Sequence, residues 1–525
     1  MATTGPDRII KTDDLSTWDR DGAVRLRIRK EDAPGTDPLS IISFVKKNCQ
    51  LGGNSPAMMV KRDGQWVQWT YTQFYTQVRT AAKALIKLGL ERYNAVSIFG
   101  FNAPEWHISC LASIFGGGFS CGLYPTNSAE MNKFIMQDSM TNILIVEDEA
   151  SLNKIWSGAQ EVESLKTIIQ FSGIPKRPGV LSWAEFMKIG QDETDEALDA
   201  TIKTIAINQC AVLIYTSGTT GNPKAVMLSH DNITYTTRVG IEMLHWRPGQ
   251  EIIISYLPLS HIAGQIVDLW APMGSRATVY FADKMALKGS LLATLTEVRP
   301  TQFFGVPRVW EKIMEGMQEK AKAITGLKKK IGTACKEAGL QHNLEGKTSP
   351  VYKIGQKIYY CKVREALGLD RCVKFYTAAA PIGPETMRYF MSLNIVIQEL
   401  YGMSETTGPH HVTMVDKIKI GSVGRVMDSC KSRLANPSPE GEGELCMWGR
   451  NIMMGYMNRE DKTTEDLDPE GWLHSGDLAT ADSDGFYFIT GRKFRGEKIK
   501  QKCLSKNVAS IRTCTVLYVC CDVNF

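Results

Sequence analysis

The chain has 525 residues, of which 43% are hydrophobic and 22% are charged. This length can bury a large core in more than one structural unit, and the composition excludes a disordered chain. A formal net charge of +5 is too small on this length to indicate a nucleic acid or another charged partner. Thirteen scattered cysteines without a CxxC pair predict a reducing compartment and argue against a disulfide framework or a zinc site.

The N-terminal residues 1–14 mix acidic and basic side chains and have the pattern of neither a secretory signal nor a transit peptide. No uninterrupted apolar run reaches the roughly 18–20 residues that span a bilayer. We therefore expect a cytoplasmic protein that has no nucleic acid partner. The sequence leaves undecided whether the protein makes peripheral contact with a membrane.

Strand-like and helical segments alternate along the chain. Four apolar runs indicate buried strands, at residues 96–101, 143–146, 252–254 and 303–306. Thr72 is a candidate cap for a helix whose apolar positions recur at spacings of three and four, namely Phe74, Val78, Ala81, Leu85 and Leu88. Pro307 is placed to open another helix. This alternation predicts an α/β fold with largely parallel sheets.

The segment 210–224, CAVLIYTSGTTGNPK, is the most informative part of the chain. An apolar run at 211–215 predicts a strand, and Ser229 to Asn232 predict a capped helix start. Between them lies a loop of glycines, hydroxyl side chains and a lysine, consisting of Thr216, Ser217, Gly218, Thr219, Thr220, Gly221, Asn222, Pro223 and Lys224. Glycines allow close approach of the backbone, amides and hydroxyls donate hydrogen bonds, and the lysine supplies charge. The loop therefore predicts a polyphosphate site.

The P-loop of kinases and GTPases is the main competing interpretation. It requires a lysine directly after the second glycine and a serine or threonine after that lysine, to bind Mg²⁺. Here Asn222 and Pro223 separate Gly221 from Lys224, and Ala225 follows the lysine. The spacing rejects a P-loop.

The loop resembles the signature of the adenylate-forming superfamily, which contains acyl-CoA synthetases, luciferases and peptide-synthetase adenylation domains. Residues 398–407, QELYGMSETT, resemble its adenine and magnesium motif, and 471–477, GWLHSGD, its ribose motif. VPRVWEK at 306–312 is similar to a segment of long-chain acyl-CoA synthetases. The segments 126–130, 227–232 and 257–263 are most similar to the bubblegum branch of fatty acyl-CoA synthetases.

The resemblance implies an adenylate-forming large domain over residues 1–491, with two α/β subdomains and a small β-rich subdomain at about 420–491. In the family a mobile C-terminal domain follows a position that matches Gly491-Arg492. Here residues 492–525 match only a truncated hinge and a divergent tail that contains four cysteines. The expectation is that the mobile domain is absent, and with it a lysine that contacts the α-phosphate.

The implied reaction is ATP-dependent activation of a long-chain fatty acid to its coenzyme A thioester through an acyl-adenylate. Because of the divergent tail, we expect this activity to be impaired. One alternative is a catalytically incomplete isoform that binds nucleotide, fatty acid or the full-length enzyme. A second is an adenylating enzyme for an aryl or amino acid.

The resemblance also assigns roles to residues. Thr216 to Lys224 would hold the β- and γ-phosphates, Glu405 would hold Mg²⁺, and Thr406 would donate to the α-phosphate. Tyr401 would stack on adenine opposite the backbone around Ala379, and Asp477 would bind the ribose with the help of Arg492. Thr216, Lys224, Glu405 and Thr406 are the implied catalytic residues, and the nucleotide set is completed by Glu399, Leu400, Gly402, Met403 and Ser404.

Three features stay open at this stage. Ala225 stands where the family usually has glycine, which is harmless only if the position is strand-like. His261 either lines the entrance of an acyl tunnel or is a hydrogen-bonded structural histidine. The run Lys328-Lys329-Lys330, within a charged stretch from 311 to 347, is interpreted first as a solvated helix face and alternatively as a contact for anionic lipid.

Overall fold

The computed structural model describes residues 4–29, 32, 35–216, 222–415 and 418–493. Strands and helices alternate through this part of the chain and form four sheets, which confirms the predicted α/β class. We number strands and helices in chain order.

The largest sheet has eight strands, and its spatial order is β19 (Gly455–Tyr456), β9 (Lys224–Ser229), β8 (Cys210–Thr216), β4 (Phe119–Gly122), β3 (Ala95–Phe99), β5 (Ile143–Val146), β6 (Thr167–Gln170) and β7 (Val180–Ser182). The strands from β8 to β7 run parallel, whereas β9 and β19 are antiparallel to their neighbours. The strand predicted at 143–146 is confirmed, and the one predicted at 96–101 lies one to two residues earlier.

Two further sheets combine parallel and antiparallel pairs. One contains β10 (Ile252–Ser255), β11 (Thr278–Phe281), β1 (Pro56–Arg62) and β2 (Gln65–Thr70) in that order. The other contains β12 (Gln302–Phe304), β13 (Lys374–Thr377), β14 (Ile397–Met403), β15 (Gly408–Val412) and β16 (Arg425–Val426). The fourth sheet is entirely antiparallel and contains β17 (Lys431–Ala435), β18 (Gly443–Trp448), β20 (Leu473–Ala481) and β21 (Tyr487–Arg492).

The described helices are α1 (Ile41–Gly52), α2 (Tyr71–Lys87), α3 (Pro104–Phe115), α4 (Ala129–Asp138), α5 (Glu149–Ala159), α6 (Trp183–Asp192), α7 (Glu196–Thr204), α8 (His230–Met243), α9 (Ile262–Gln265), α10 (Ala271–Ser275), α11 (Leu291–Val298), α12 (Pro307–Lys322), α13 (Gly326–Glu345), α14 (Pro350–Gly355), α15 (Cys361–Ala366), α16 (Pro384–Ser392) and α17 (Glu460–Asp466). Two π-helical segments, Ile266–Trp270 and Gln356–Tyr360, join α9 to α10 and α14 to α15. None of these helices is long and apolar enough to cross a membrane.

The start of α2 corrects one prediction. The cap is Thr70 and not Thr72, because the Thr70 side chain accepts from the backbone N–H of Gln73 while the Gln73 side chain accepts from the N–H of Thr70. Pro307 opens α12 as predicted.

Alternate residues of the central strands face two different cores. In β3, Val96 and Ile98 belong to the main core, whereas Ala95 and Phe99 belong to a second core on the other side of the sheet. The two-residue period of a strand separates the faces, and helices cover both of them. This rigid sheet holds β8 and β9, and therefore the ends of the glycine-rich loop.

Candidate active site

The glycine-rich loop connects two antiparallel strands. Thr216 at the end of β8 pairs with Lys224 at the start of β9. Residues 217–221 lie outside the described part of the chain, so their predicted phosphate contacts stay a prediction. A P-loop leads directly into a helix, whereas here β9 comes first and Ser229 then caps α8 through the backbone N–H of Asn232. The predicted capped helix start is therefore confirmed.

Ala225 is buried within β9, and its φ is not among the positive values of the described residues. The missing glycine is therefore harmless at this position, because strand geometry needs no left-handed backbone.

Lys224 and Glu405 meet at a tyrosine that the sequence did not single out. The Lys224 ammonium lies 3.9 Å from the ring centroid of Tyr456 and 3.4 Å from Asp466 Oδ2. The Tyr456 hydroxyl lies 2.8 Å from both Glu405 Oε1 and Asp466 Oδ2. A phenol has one proton, so it donates to one carboxylate at a time. This network ties the end of the glycine-rich loop to the magnesium motif.

Burial raises the pKa of the Glu405 carboxyl, and the negative charge of Asp466 acts in the same direction. The charge of Lys224 and the Tyr456 hydroxyl oppose the rise. The Glu405 carboxylate is a hard oxygen ligand of the kind that Mg²⁺ prefers, so this residue fits the implied magnesium ion. A bound cation would favour the ionised form of Glu405.

The three residues predicted to hold the nucleoside lie together. The Tyr401 hydroxyl donates to Asp477 Oδ2 at 2.6 Å, and Arg492 Nε donates to Asp477 Oδ1 at 2.7 Å. The Asp477 side chain is only 2% exposed, and it accepts both of these hydrogen bonds. Both carboxylate oxygens are thus oriented by neighbours 76 and 15 residues away in sequence.

The end of β14 and the single 3₁₀ turn Ser404–Thr406 that follows it place the predicted residues Gly402 to Thr406. A Cβ atom at Gly402 would lie 1.9 Å from the carbonyl oxygen of Gly408, so no larger residue fits there. The Thr406 hydroxyl accepts from the Met403 N–H and donates to the Gly408 carbonyl at 2.6 Å. In this structure the hydroxyl closes the turn, and its predicted donation to the α-phosphate requires those bonds to be exchanged.

An apolar cavity borders this turn. Its walls come from α8, from α9 with the following π-helical segment, and from the ends of β12, β13 and β14. Five of its lining residues belong to the predicted adenine region, namely Ala378, Ala379, Leu400, Gly402 and Met403. Ala379 has a φ of +74°, a left-handed conformation that is rare for alanine and concentrates at ligand sites. The predicted nucleotide region and the apolar cavity therefore share a wall.

His261 makes the structural hydrogen bond that the sequence allowed, whereas its place at the entrance of an acyl tunnel stays a prediction. Its Nδ1 accepts from the Ala263 backbone N–H at 3.1 Å, which caps α9, and the ring also lines the cavity. Burial lowers the pKa of His261 to about 4. A neutral ring at physiological pH suits both the cap and an apolar wall.

Glu399 yields an expected pH effect on stability. Burial raises the pKa of its carboxyl from 4.5 to about 8. Below about pH 4.5 the group is protonated in both states and costs nothing; between there and about pH 8 only the unfolded chain ionises it. Its presence therefore lowers the free energy of unfolding as pH rises, by at most about 1.4 kcal/mol per pH unit.

Glu399→Gln should therefore raise Tm more at about pH 8 than at about pH 5. The control, Glu385→Gln at an exposed position, should show no such difference between the two pH values. Equal gains in Tm for Glu399→Gln at both pH values would contradict this prediction.

Glu444, Cys446 and His474 form a group of three possible metal ligands among the described residues, with their ligand atoms within 4.8 Å of one another. His474 Nδ1 lies 3.2 Å from Glu444 Oε2 and 3.4 Å from Cys446 Sγ. The same Glu444 oxygen accepts from Lys493 at 2.9 Å, and burial raises the pKa of the Cys446 thiol to about 11. A lysine already neutralises the carboxylate and the thiol stays protonated, so this cluster gives no argument for a metal.

Known proteins share both the sequence and the fold. The family model described as AMP-binding enzyme matches residues 45–457. The long-chain-fatty-acid–CoA ligase ACSBG2 of Xenopus laevis is 47% identical over 92% of this chain and 67% of its own length. The human ACSBG2 ligase is 43% identical over 91% and 73%, and the chicken ACSBG2 ligase is 43% identical over 91% and 64%. The chain thus spans about two thirds to three quarters of these relatives.

Two solved structures support the same fold at lower identity. An anthranilate CoA ligase in complex with anthranoyl-AMP has a TM-score of 0.68 and 18% identity, covering 86% of this chain and 78% of that one. The A-PCP didomain of a carboxylic acid reductase from Segniliparus rugosus, in complex with AMP, has a TM-score of 0.69 and 20% identity, covering 87% and 66%. At these identities the likeness shows the fold alone.

Proposed function

The chain belongs to the AMP-binding enzyme family, and from this premise we propose that it activates a long-chain fatty acid with ATP. The observation that carries the proposal is the wall that the apolar cavity shares with the predicted adenine region. The apolar lining of the cavity suits a hydrocarbon chain, whose carboxylate would then reach the polar turn at Gly402 to Thr406.

The chemistry needs two steps, because a carboxylate does not react with a thiol. The carboxylate oxygen attacks the α-phosphorus of ATP, and the bond to the β-phosphate oxygen breaks to release pyrophosphate. The thiol of coenzyme A then attacks the acyl carbon, and AMP leaves with the electron pair of the acyl–oxygen bond. Neither step needs a nucleophile from the protein, so alignment and neutralisation of charge supply the catalysis.

Different described residues would carry out the alignment and the neutralisation of charge. Tyr401, Asp477 and Arg492 would bind and orient the nucleoside, and Lys224 would place a positive charge at the phosphates. Glu405 would hold Mg²⁺, which supplies neutralisation of phosphate charge when bound. Support for these roles comes from the two networks that join Lys224 to Glu405 and Tyr401 to Asp477.

The experiment is to measure pyrophosphate release and thioester formation in one sample that contains ATP, Mg²⁺, coenzyme A and one acid at a time. Palmitate is expected to stimulate pyrophosphate release, and benzoate, anthranilate and amino acids are not. Pyrophosphate without palmitoyl-CoA would restrict the proposal to adenylation. Stimulation by an aryl acid or an amino acid in place of palmitate would overturn it.

A single glycine tests the cavity as an acyl site. Gly240 lies in α8 and lines the cavity, and a Cβ atom added there would meet no atom within 4 Å outside the helix backbone. Gly240→Leu is expected to shift the kcat/KM ratio for palmitate over decanoate by at least about tenfold toward decanoate, because the leucine occupies space that a long chain needs. Gly316→Leu, at an exposed helical glycine of α12 with equally open surroundings, is the control. An unchanged ratio in Gly240→Leu would contradict the assignment.

We also propose a cytoplasmic location with peripheral contact to a membrane. The nine cysteines within the described residues are all free thiols, which supports a reducing compartment. A long-chain acid partitions into lipid, so an enzyme that consumes it gains from proximity to a bilayer. Fractionation of cells into cytosol, membranes and secreted material tests this location.

A further inference from the structure

Residues 320–362 form the most basic stretch of the described chain. They contain ten lysines and two glutamates, a formal charge of +8, whereas the whole chain carries only +5. Among the described residues, Lys328, Lys329, Lys330, Lys353, Lys357 and Lys362 form no ion pair within 4 Å. The charge of this stretch is therefore directed to solvent or to a partner.

Apolar side chains are exposed among these lysines. Leu327 is 73% exposed, Ile354 57% and Ile358 51%, and Ile324, Ile331 and Val351 are each more than 40% exposed. Six exposed apolar side chains lie within this one segment. Single apolar residues are normal on a protein surface, whereas a group of them indicates an interaction site. A solvated helix face, the first interpretation of the lysine run, does not explain it.

The apolar side chains are exposed although the segment has its own core. Helix α13 packs on the continuous helix formed by α14, the π-helical segment Gln356–Tyr360 and α15. The contact is made by Cys335, Ala338, Tyr352 and Tyr360. The Tyr360 hydroxyl donates to the Cys335 carbonyl at 2.5 Å, which fixes the two helices together. The exposed residues are therefore not an unfilled core but a second, outward surface.

The second helix shows the arrangement most clearly. Val351, Ile354 and Ile358 follow one another at spacings of three and four, so they share one face. Tyr352, Gly355 and Tyr360 are buried on the face toward α13. Lys353, Lys357 and Lys362 alternate with the exposed apolar residues along the same helix. We call Leu327–Ile331, with its three lysines, and the exposed residues 351–362 the basic apolar surface.

We infer that the basic apolar surface docks on an anionic phospholipid bilayer. Lysine ammonium groups reach phosphate and carboxylate headgroups, while leucine and isoleucine enter the boundary of the acyl chains; the long lysine stems allow both at once. A nucleic acid would use the lysines but would leave the aliphatic residues in water. An acidic protein would have to supply apolar pockets matched to these scattered positions, whereas the acyl boundary of a bilayer accepts them in any arrangement.

The inference rests on the proposed function. A long-chain acid accumulates in a bilayer, so an enzyme that docks there would meet its substrate. The chain leads from Phe304, in the wall of the apolar cavity, through two residues into α12 and then to α13. Binding to lipid can nevertheless be measured without any turnover, so the two proposals fail separately.

The test is flotation of the full chain with vesicles of phosphatidylcholine alone or with about 30 mol% phosphatidylserine. The chain is expected to float with the anionic vesicles at about 0.1 M salt and much less at about 0.5 M. The triple variant Lys328→Gln, Lys329→Gln, Lys330→Gln should lose about 100-fold in affinity, since each lysine near such a surface contributes about fivefold. The matched control removes the exposed Lys154, Lys176 and Lys203 in the same way and should bind like the wild type.

A second pair of variants tests the apolar half. Ile354→Ser with Ile358→Ser should lose at least about tenfold in affinity even at low salt, whereas Ile174→Ser, which changes an isoleucine that is 86% exposed elsewhere, should not. Pyrophosphate release with detergent-dispersed palmitate should be unchanged in all these variants. Failure of the wild type to float with anionic vesicles, or equal binding of the lysine variant and its control, would overturn the inference. Flotation without palmitate-dependent turnover would instead refute the proposed function.

Discussion

Replacement of Glu405 by glutamine is expected to lower palmitate-dependent pyrophosphate release by about 10²–10³-fold, with little change in folding. The loss follows from removal of the carboxylate that would hold Mg²⁺ where charge develops at phosphorus. Folding should be retained because burial already disfavours the charged form of Glu405 and raises its pKa. Glutamine keeps the shape and removes the charge. The measurement is initial rate at saturating ATP and Mg²⁺ together with Tm.

Glu460→Gln is the matched control, since this exposed carboxylate in α17 forms no ion pair with another described residue and lies near Asp466 in the chain. It should retain the wild-type rate. A Glu405→Gln variant that loses activity only in proportion to a lowered Tm would show that the carboxylate has a structural role and would contradict the assignment.

The largest effect on stability is expected at Arg450. Its guanidinium donates to both oxygens of Asp231 at 2.6 and 3.0 Å, donates to the Thr36 carbonyl at 2.7 Å and lies over the Tyr235 ring. The two charged side chains are only 2% and 1% exposed. Arg450→Met should lower the free energy of unfolding by about 3–5 kcal/mol, because it leaves the Asp231 carboxylate buried without its partner.

Arg308→Met is the control for this change. Arg308 contacts Glu311 and Glu315, but its side chain is 48% exposed, so its loss should cost less than about 1 kcal/mol. Denaturant unfolding of both variants gives the comparison. Equal costs for Arg450→Met and Arg308→Met would show that the buried pair does not join α8 to the strands that follow residue 450.

The fold was predictable where one local pattern decides the structure. The run at 143–146 is apolar throughout and became a central parallel strand with the predicted bounds, because only a strand buried on both faces accepts such a run. The cap of α2 was misplaced by two residues, because Thr70 and Thr72 are both good caps and only the reciprocal bond with Gln73 distinguishes them. The order of strands in the eight-stranded sheet depends on long-range packing and had no local signal.

In the candidate site, too, motifs identified some residues, and others are recognisable only from their contacts in the structure. Tyr401, Asp477 and Arg492 could be named from motifs, and the structure brings them into hydrogen-bonding contact. Tyr456 and Asp466 were missed although they join Lys224 to Glu405. They carry no motif of their own, and their importance comes from partners that lie 51 and 242 residues away. The cavity was also beyond sequence reasoning, because residues from three helices, one π-helical segment and four strands line it.

The most direct test of the shared wall is calorimetric binding of a non-hydrolysable palmitoyl-adenylate analogue, compared with AMP and with palmitate. If the nucleotide region and the apolar cavity form one continuous site, the analogue should bind at least about 100-fold more tightly than either part, since one molecule then makes both sets of contacts. Gly240→Leu should weaken binding of the analogue and leave the affinity for AMP unchanged. An analogue that binds no more tightly than AMP would contradict the account.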